Sequence, residues 1–361
     1  MVSLISFIVV LSILVVVHEF GHFITAKKTG VRVEKFSIGF GPEIAGITKA
    51  GTRYSISMIP LGGYVKLAGE TGPEGTKGEK WEYLSRTTGE RARIILAGPL
   101  LNYILAFVIF SAVFMAGNPT LTSKVGKVME GYPAEAAGLK VGDKILNING
   151  KDTIYWEDVT EIVHGGKNQE MDVLVERDGQ RINLKVTPKS HEMNTMFGSK
   201  KSVGIMGITP SDDIVYVKYG FLKSIYMGAE KLWTLTYITF RALWASATGA
   251  IPLKESMTGP IGIFYITGQA AKLGLVYLLQ LMGVLSASLA IFNILPVPVL
   301  DGGHLLFLTI EKIRKRPVSI KAQENITQAG MALLIILMLF VFYNDFIRFG
   351  IFEKISHLWK R

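Results

Sequence analysis

The chain of 361 residues carries 49% hydrophobic and 19% charged side chains, no cysteine and a formal net charge of +10, with a mean hydropathy of +0.35. That balance describes a membrane protein with a soluble part, and the lack of cysteine excludes disulfides, thiolate metal sites and a cysteine nucleophile. The basic excess reads as cytoplasmic loop charge, with no nucleic acid as partner.

Hydrocarbon about 30 Å thick takes about 20 apolar residues per helix. The first such run, Met1 to Val17, is uncharged and leads into His18-Glu19-Phe20-Gly21-His22. It has no basic leader and no small-x-small cleavage site, so it reads as a retained membrane helix and not a signal peptide. H-E-x-x-H on a helix puts both imidazoles on one face, within reach of one ion, and is a zinc signature. Glu19, beside the first ligand, is placed to take a proton from a water activated by the metal. Ionisable groups in a membrane helix cost about 2.5–3.5 kcal/mol each on insertion scales, which favours a function over a stray polar helix end.

Residues Arg53 to Leu67 alternate and then turn at Gly62-Gly63, which predicts a β hairpin before the second apolar run, Ile94 to Gly117. A β-rich domain follows from about Lys124 to Pro210. Its strands include Met171 to Val175 and Ile182 to Val186, and Asn149-Gly150 and Asp178-Gly179 are its turns. Leu232 to Ile251 is apolar apart from Arg241, with Trp233, Tyr237, Phe240 and Trp244 at helical spacing. It suits either a fifth span or an amphipathic helix lying on lipid. Leu273 to Leu300 and Asn325 to Asn344 are the last two uncharged runs. The fold class is therefore an α-helical membrane protein of about four spans with an inserted β-rich domain. Its expected segments are 1–117, 124–210, a linker over 211–272 and a C-terminal membrane half over 273–361.

Charge sets the expected topology. Lys27 to Arg91 carries 11 basic against 7 acidic residues, Leu305 to Gly330 carries 5 against 2, and Asn118 to Gly220 carries 13 against 14. The two basic loops then face the cytoplasm and the β-rich domain faces out. His22 and Asp301 come to similar depth only if Leu232 to Ile251 does not span, so the interfacial reading is preferred on the premise of a shared site. A catalytic zinc takes three protein ligands and one open position. His164, His191 and His357 lie at the wrong depth, which leaves Asp301 and His304. Both follow the run Asn293-Ile294-Leu295-Pro296-Val297-Pro298-Val299-Leu300, where two prolines interrupt the helix. Iron or cobalt also suits a two-histidine, one-carboxylate site.

The chain resembles the site-2 protease family of intramembrane metalloproteases, in the bacterial branch that cleaves membrane-anchored anti-sigma factors. The likeness rests on His18 to His22, on Asn293 to Gly303, on Gly98-Pro99-Leu100-Leu101-Asn102 and on Pro60-Leu61-Gly62-Gly63-Tyr64-Val65-Lys66. It implies Asp301 as third zinc ligand, Glu19 as general base, and Asn293, Asn102, Gly62 and Gly63 on the substrate side, the hairpin being a membrane-associated β element. Tyr132 to Gly150 resembles the core of a bacterial PDZ domain, with Ser202 to Ile208 as the strand and loop that would pair with a peptide terminus. The resemblance further implies a single-pass transmembrane substrate and a place in the bacterial inner membrane, with the active site towards the cytoplasm and the PDZ domain on the outer side. Many members of that branch carry two PDZ domains, and the room here fits one. The rival readings are a membrane-tethered PDZ scaffold and a metal transporter.

Overall fold

The computed structural model describes residues 1–70, 77–194, 200–252 and 258–349; His357 lies outside them. Two compact units emerge. One comprises residues 1–112 and 225–239 with the C-terminal helices, and the other comprises 113–224 with the end of the long helix that follows it.

Four helices among the described residues are long and apolar enough to cross a membrane. The first, α1 (Val2–Lys28), closes on Lys27 and Lys28, cations that suit the negative end of a helix. Two strands follow, β1 (Val33–Lys49) and β2 (Thr52–Leu67). Then comes α2 (Thr88–Ala116), started by a capping box in which Glu90 N–H donates to Thr87 Oγ1 and Thr87 N–H to Glu90 Oε2. Gly21 and Gly98 let α1 and α2 approach closely: a Cβ on Gly21 would stand 2.2 Å from Ala97 O.

The expected hairpin exists, but its turn is not at Gly62-Gly63. The chain reverses at Ala50-Gly51, both at positive φ, and residues 43–49 pair back on 52–57. Gly62 and Gly63 lie inside β2, and Gly63 is opposite Ile38. Residues 35–38 have partners on two sides, 53–56 and 63–66, so the two long strands make a folded sheet in which 63–67 is an outer edge. At Gly62, φ is +137° and a Cβ would meet the Phe40 ring, so the bend needs glycine. Phe40, Ile44, Ile47, Ile56, Met58 and Ile59 are exposed on this sheet.

In the second unit β3 (Asn118–Leu121), β4 (Val125–Val128) and the single turn α3 (Pro133–Ala136) lead into β5 (Lys144–Ile148) and β6 (Lys151–Asp152). The helix α4 (Trp156–Gly165) precedes β7 (Met171–Arg177) and β8 (Gln180–Val186), and the sheet order is β6-β5-β7-β8. Both expected turns are found, with Asn149-Gly150 and Asp178-Gly179 at positive φ. Alternation puts Met171, Val173 and Val175 of β7 in one core, and a register irregularity between Ile145 and Asn147 brings both Ile145 and Ile148 of β5 into it. Then come β9 (Lys189–Asn194), β10 (Lys200–Ile205), β11 (Ile208–Pro210), which pairs with β4, and β12 (Ile214–Val217), which pairs with β3. The β3–β12 pair carries this region past the expected limits of 124 and 210.

The linker is more ordered than its sequence suggested. One helix, α5 (Phe221–Ala247), is longer than the amphipathic stretch, and a second, α6 (Pro260–Leu273), had no signal beyond its length of apolar residues. Leu232 packs with Ala106, Phe110 and Ala287, Tyr103 bonds Thr236, and Gly228 faces Ser111. Thus α5 follows α2 antiparallel over these two turns, while Trp233 and Trp244 are 70% and 73% exposed on its outer face. Phe264 stacks edge-on against Phe7, and Asp345 accepts from Gly259 and Gly262 N–H, which caps α6 from the last helix. The chain ends in α7 (Leu275–Ile294), α8 (Asp301–Arg314) and α9 (Ile320–Arg348).

Candidate metal centre

Three side chains from two distant parts of the chain meet beside α2. His18 and His22 lie one turn apart on α1, and Asp301 opens α8 after the proline break. His18 Nε2 is 3.1 Å from His22 Nε2 and 3.1 Å from Asp301 Oδ2, and His22 Nε2 is 3.6 Å from the same oxygen. Among the described residues these form a group whose ligand atoms lie within 4.8 Å of one another. His304 lines the same cavity without joining the trio, so of the two candidates for third ligand the structure brings Asp301 to the histidines.

The second contact of His22 identifies its tautomer, and that of His18 is with the side-chain amide of Asn102. His22 Nδ1 is 2.8 Å from Ile94 O, so Nδ1 carries the proton and Nε2 presents a lone pair. Ile94 is one residue before Ile95, the carbonyl that Pro99 leaves without its helical donor. His18 Nδ1 is 3.4 Å from Asn102 Nδ2, and Asn102 Oδ1 is buried with no partner. With that amide turned over, Oδ1 accepts from His18 Nδ1–H and leaves Nε2 its lone pair. Both Nε2 atoms and Asp301 Oδ2, itself buried without a hydrogen-bond partner, are then acceptors crowded together. A cation resolves that arrangement. Two ligands at about 2.0–2.1 Å in tetrahedral geometry stand roughly 3.3 Å apart, close to the spacing found. The residues therefore fit zinc.

Glycines make the room. A Cβ on Gly98 would lie 2.3 Å from His22 Nε2 and 2.9 Å from His18 Cε1. Gly302 and Gly303 seat the start of α8 on the broken segment, where a Cβ would meet the carbonyls of Leu295 and Val297. Glu19 lines the cavity next to the trio, and its Oε2 accepts from Val65 N–H at 3.1 Å. The cavity, about 860 Å³, runs from the trio past Asn293, Tyr83 and His304 to Ser319 and Gln323.

Of the residues expected on the substrate side, Asn293 lines this cavity. Asn102 does not: it is fully buried behind His18, and Ser286 Oγ donates to its carbonyl, which places it to orient a ligand. Gly63 sits with its Cα edge towards Glu19, a Cβ there being 3.8 Å from Glu19 Cγ, and Gly62 faces Phe40. His164 and His191 belong to the β-rich unit. Sequence reasoning missed the Ile94 carbonyl, which leaves no side-chain signal, and the steric role of Gly98, which a glycine inside an apolar helix could have announced.

Residues 6–337 match the model of peptidase family M50. The Agrobacterium fabrum protein Atu1380, whose name describes a zinc metalloprotease, is 37% identical over 95% of this chain and 95% of its own. The regulator of sigma E protease of Haemophilus influenzae is 32% identical over 96% and 99%, and the regulator of sigma-E protease RseP of Escherichia coli is 31% identical over 96% and 98%. Among solved structures, the PDZ domain of the SdrC-like protein Lmo2051 of Listeria monocytogenes aligns with 25% of this chain and 87% of that one, at 22% identity and a TM-score of 0.21.

Proposed function

The chain belongs to peptidase family M50, the site-2 protease family, and is a zinc metalloprotease; from that premise we propose that it hydrolyses peptide bonds within the membrane segments of single-pass proteins. The observation that carries this reading is the meeting of His18, His22 and Asp301 with Glu19 beside them, where α1 and the end of α7, both long and apolar enough to cross a membrane, come together. Anti-sigma factors are one substrate class that fits, and the remnants of signal peptides are another.

Zinc held by His18, His22 and Asp301 would polarise the scissile carbonyl and lower the pKa of water to about 7. Glu19 takes the proton of the attacking water on a carboxylate oxygen and passes it to the leaving amide nitrogen. Asn293, in the last turn of α7, offers its amide to the substrate beside the reacting bond. A peptide bond inside a helix is shielded, so the substrate must be extended where it is cut. The edge of β2 over 63–67 suits that purpose, since an added strand would lie along the cavity. The exposed apolar residues of the β1/β2 sheet and the outer aromatic face of α5 are proposed to meet lipid.

Loop charge favours a site opening towards the cytoplasm and a β-rich unit on the outer side of a bacterial inner membrane. The β-rich unit is proposed to be a PDZ domain that either takes a peptide terminus along Ser202 to Ile208 or screens substrates by bulk. Cleavage of a tagged single-pass substrate by purified protein in detergent tests the central proposal. Wild type should cut within the apolar segment, and Glu19→Gln should keep its zinc and lose at least about a thousandfold in rate. Cleavage that survives Glu19→Gln would overturn the assignment of the base.

A further inference from the structure

Two backbone donors on the β2 edge that borders the cavity are held by carboxylates and not by a neighbouring strand. Val65 N–H donates to Glu19 Oε2 at 3.1 Å and Leu67 N–H to Glu70 Oε2 at 3.2 Å. Residues 64–66 lie opposite 35–37 of β1 and Leu67 opposite Val33, and because successive donors alternate in direction, those of 65 and 67, held by the two carboxylates, point away from β1. At about 3.3 Å per residue these donors are roughly 6–7 Å apart, the repeat of like-facing carbonyls in an extended peptide. Glu19 has a part in the chemistry. Glu70 has none assigned, although it lines the same cavity as the metal trio.

The neighbouring cations are already engaged. Arg91, the arginine of the cavity wall, is paired with Glu311, and Lys66 is paired with Glu34. Among the described residues Glu70 forms no ion pair, and its side chain is accessible at the cavity. A substrate strand that takes over Leu67 N–H displaces the Glu70 carboxylate, which then needs a new donor. Membrane segments carry lysine and arginine on their cytoplasmic flanks, and these give carboxylates their strongest hydrogen bonds. We propose that Glu70 is a specificity-determining residue that receives a lysine or arginine from the cytoplasmic flank of the extended substrate. This rests on the reading of the cavity as a protease site.

The test uses the full chain in detergent and three single-pass substrates that differ only in two flanking residues, Lys-Lys, Gln-Gln or Glu-Glu, with zinc measured on every sample. Wild type should favour Lys-Lys over Gln-Gln by about tenfold in kcat/KM. Glu70→Gln should bring that ratio near one with zinc unchanged, and Glu70→Lys should turn the preference towards Glu-Glu, which a merely structural role would not do. A wild-type rate blind to flank charge, or a lysine preference that persists in Glu70→Gln, overturns the proposal even if a variant loses zinc. Wild type that holds zinc and cuts none of the three would instead sink the protease reading, and this proposal with it.

Discussion

In the β-rich unit Ile145, Ile148, Val173 and Val175 are fully buried, while the charged residues alternating with them in β7 and β8 face out. In α9 the pattern is reversed: Leu333, Ile336 and Leu339 are 60–64% exposed, whereas Asp345 is fully buried. Asn102 and Ser286 are buried in the same helical unit. The β-rich unit thus hides apolar residues of the kind that α9 leaves exposed. In water, burial of apolar surface is the main driving force. Between helices in lipid it largely disappears, leaving close packing, hydrogen bonds and small residues to hold the structure.

The contrast is sharpest when one substitution is made in both places. Ile145→Ala should cost about 2–5 kcal/mol, the usual range for emptying a core position. Ile336→Ala, on an exposed face, should stay within about 0.5 kcal/mol. Hydrogen exchange on the full chain in detergent would report both. Equal costs would mean that α9 is covered by protein and that its apolar face is not lipid-facing.

Next in size is a polar residue of the helical unit. Asn102→Ala should weaken zinc binding by about 10- to 100-fold, or about 1.4–2.7 kcal/mol, because His18 loses the partner that fixes its ring. Competition with a chelating dye would measure it. Were zinc affinity unchanged and cleavage lost, Asn102 would act on the substrate after all, as the family resemblance implied.

These differences explain what the sequence could disclose. The β-rich unit declares itself by alternation and by Asn-Gly and Asp-Gly turns, because each strand has one wet face. The apolar runs declare four helices long and apolar enough to cross a membrane but not their rotation, since every face is apolar. H-E-x-x-H is legible because a charged cluster has no other business in an apolar helix. Asp301 could be separated from His304 only through resemblance, because the broken segment before α8 gives no regular periodicity from which to tell which side chain turns inward. The hairpin turn was misplaced because Gly62-Gly63 looks like a turn and serves as a bend against Phe40. Ala50-Gly51 carries the weaker signal and makes the reversal. Nothing in the sequence of α6 announces that Asp345 will cap it from another helix.

A smaller effect comes from the ion pair of the β-rich unit. Asp143 accepts from Arg177 Nε at 2.7 Å and Nη2 at 2.8 Å and from Lys140 N–H at 2.8 Å. Burial opposes its charge, but Arg177 and that N–H together hold the carboxyl below its ordinary range. A carboxyl lowered on folding stabilises the fold at neutral pH, and the contribution is lost as pH falls below about 4 towards the folded-state value. Unfolding of this unit should therefore become easier by about 1 kcal/mol between pH 5 and pH 3. Arg177→Gln should flatten that slope, and an unchanged slope would assign acid sensitivity to other carboxyls.

The effect that reaches furthest into the site lies in the break between α7 and α8. Val299 has φ of +90°, a region that costs a β-branched residue about 1–3 kcal/mol. It lines the cavity two residues before Asp301. Glycine would relieve the strain but add about 0.5–1 kcal/mol of chain entropy to the unfolded state, so Val299→Gly should change stability by no more than about 1–2 kcal/mol. If the strained bend is what aims Asp301 at His18 and His22, zinc affinity should fall several-fold although the fold is no weaker. If stability rises and zinc is held as before, the bend is fixed by Pro296, Pro298 and the glycines of α8. The carboxylate would then be aimed by packing, the rule found elsewhere in the helical unit, without a contribution from strain.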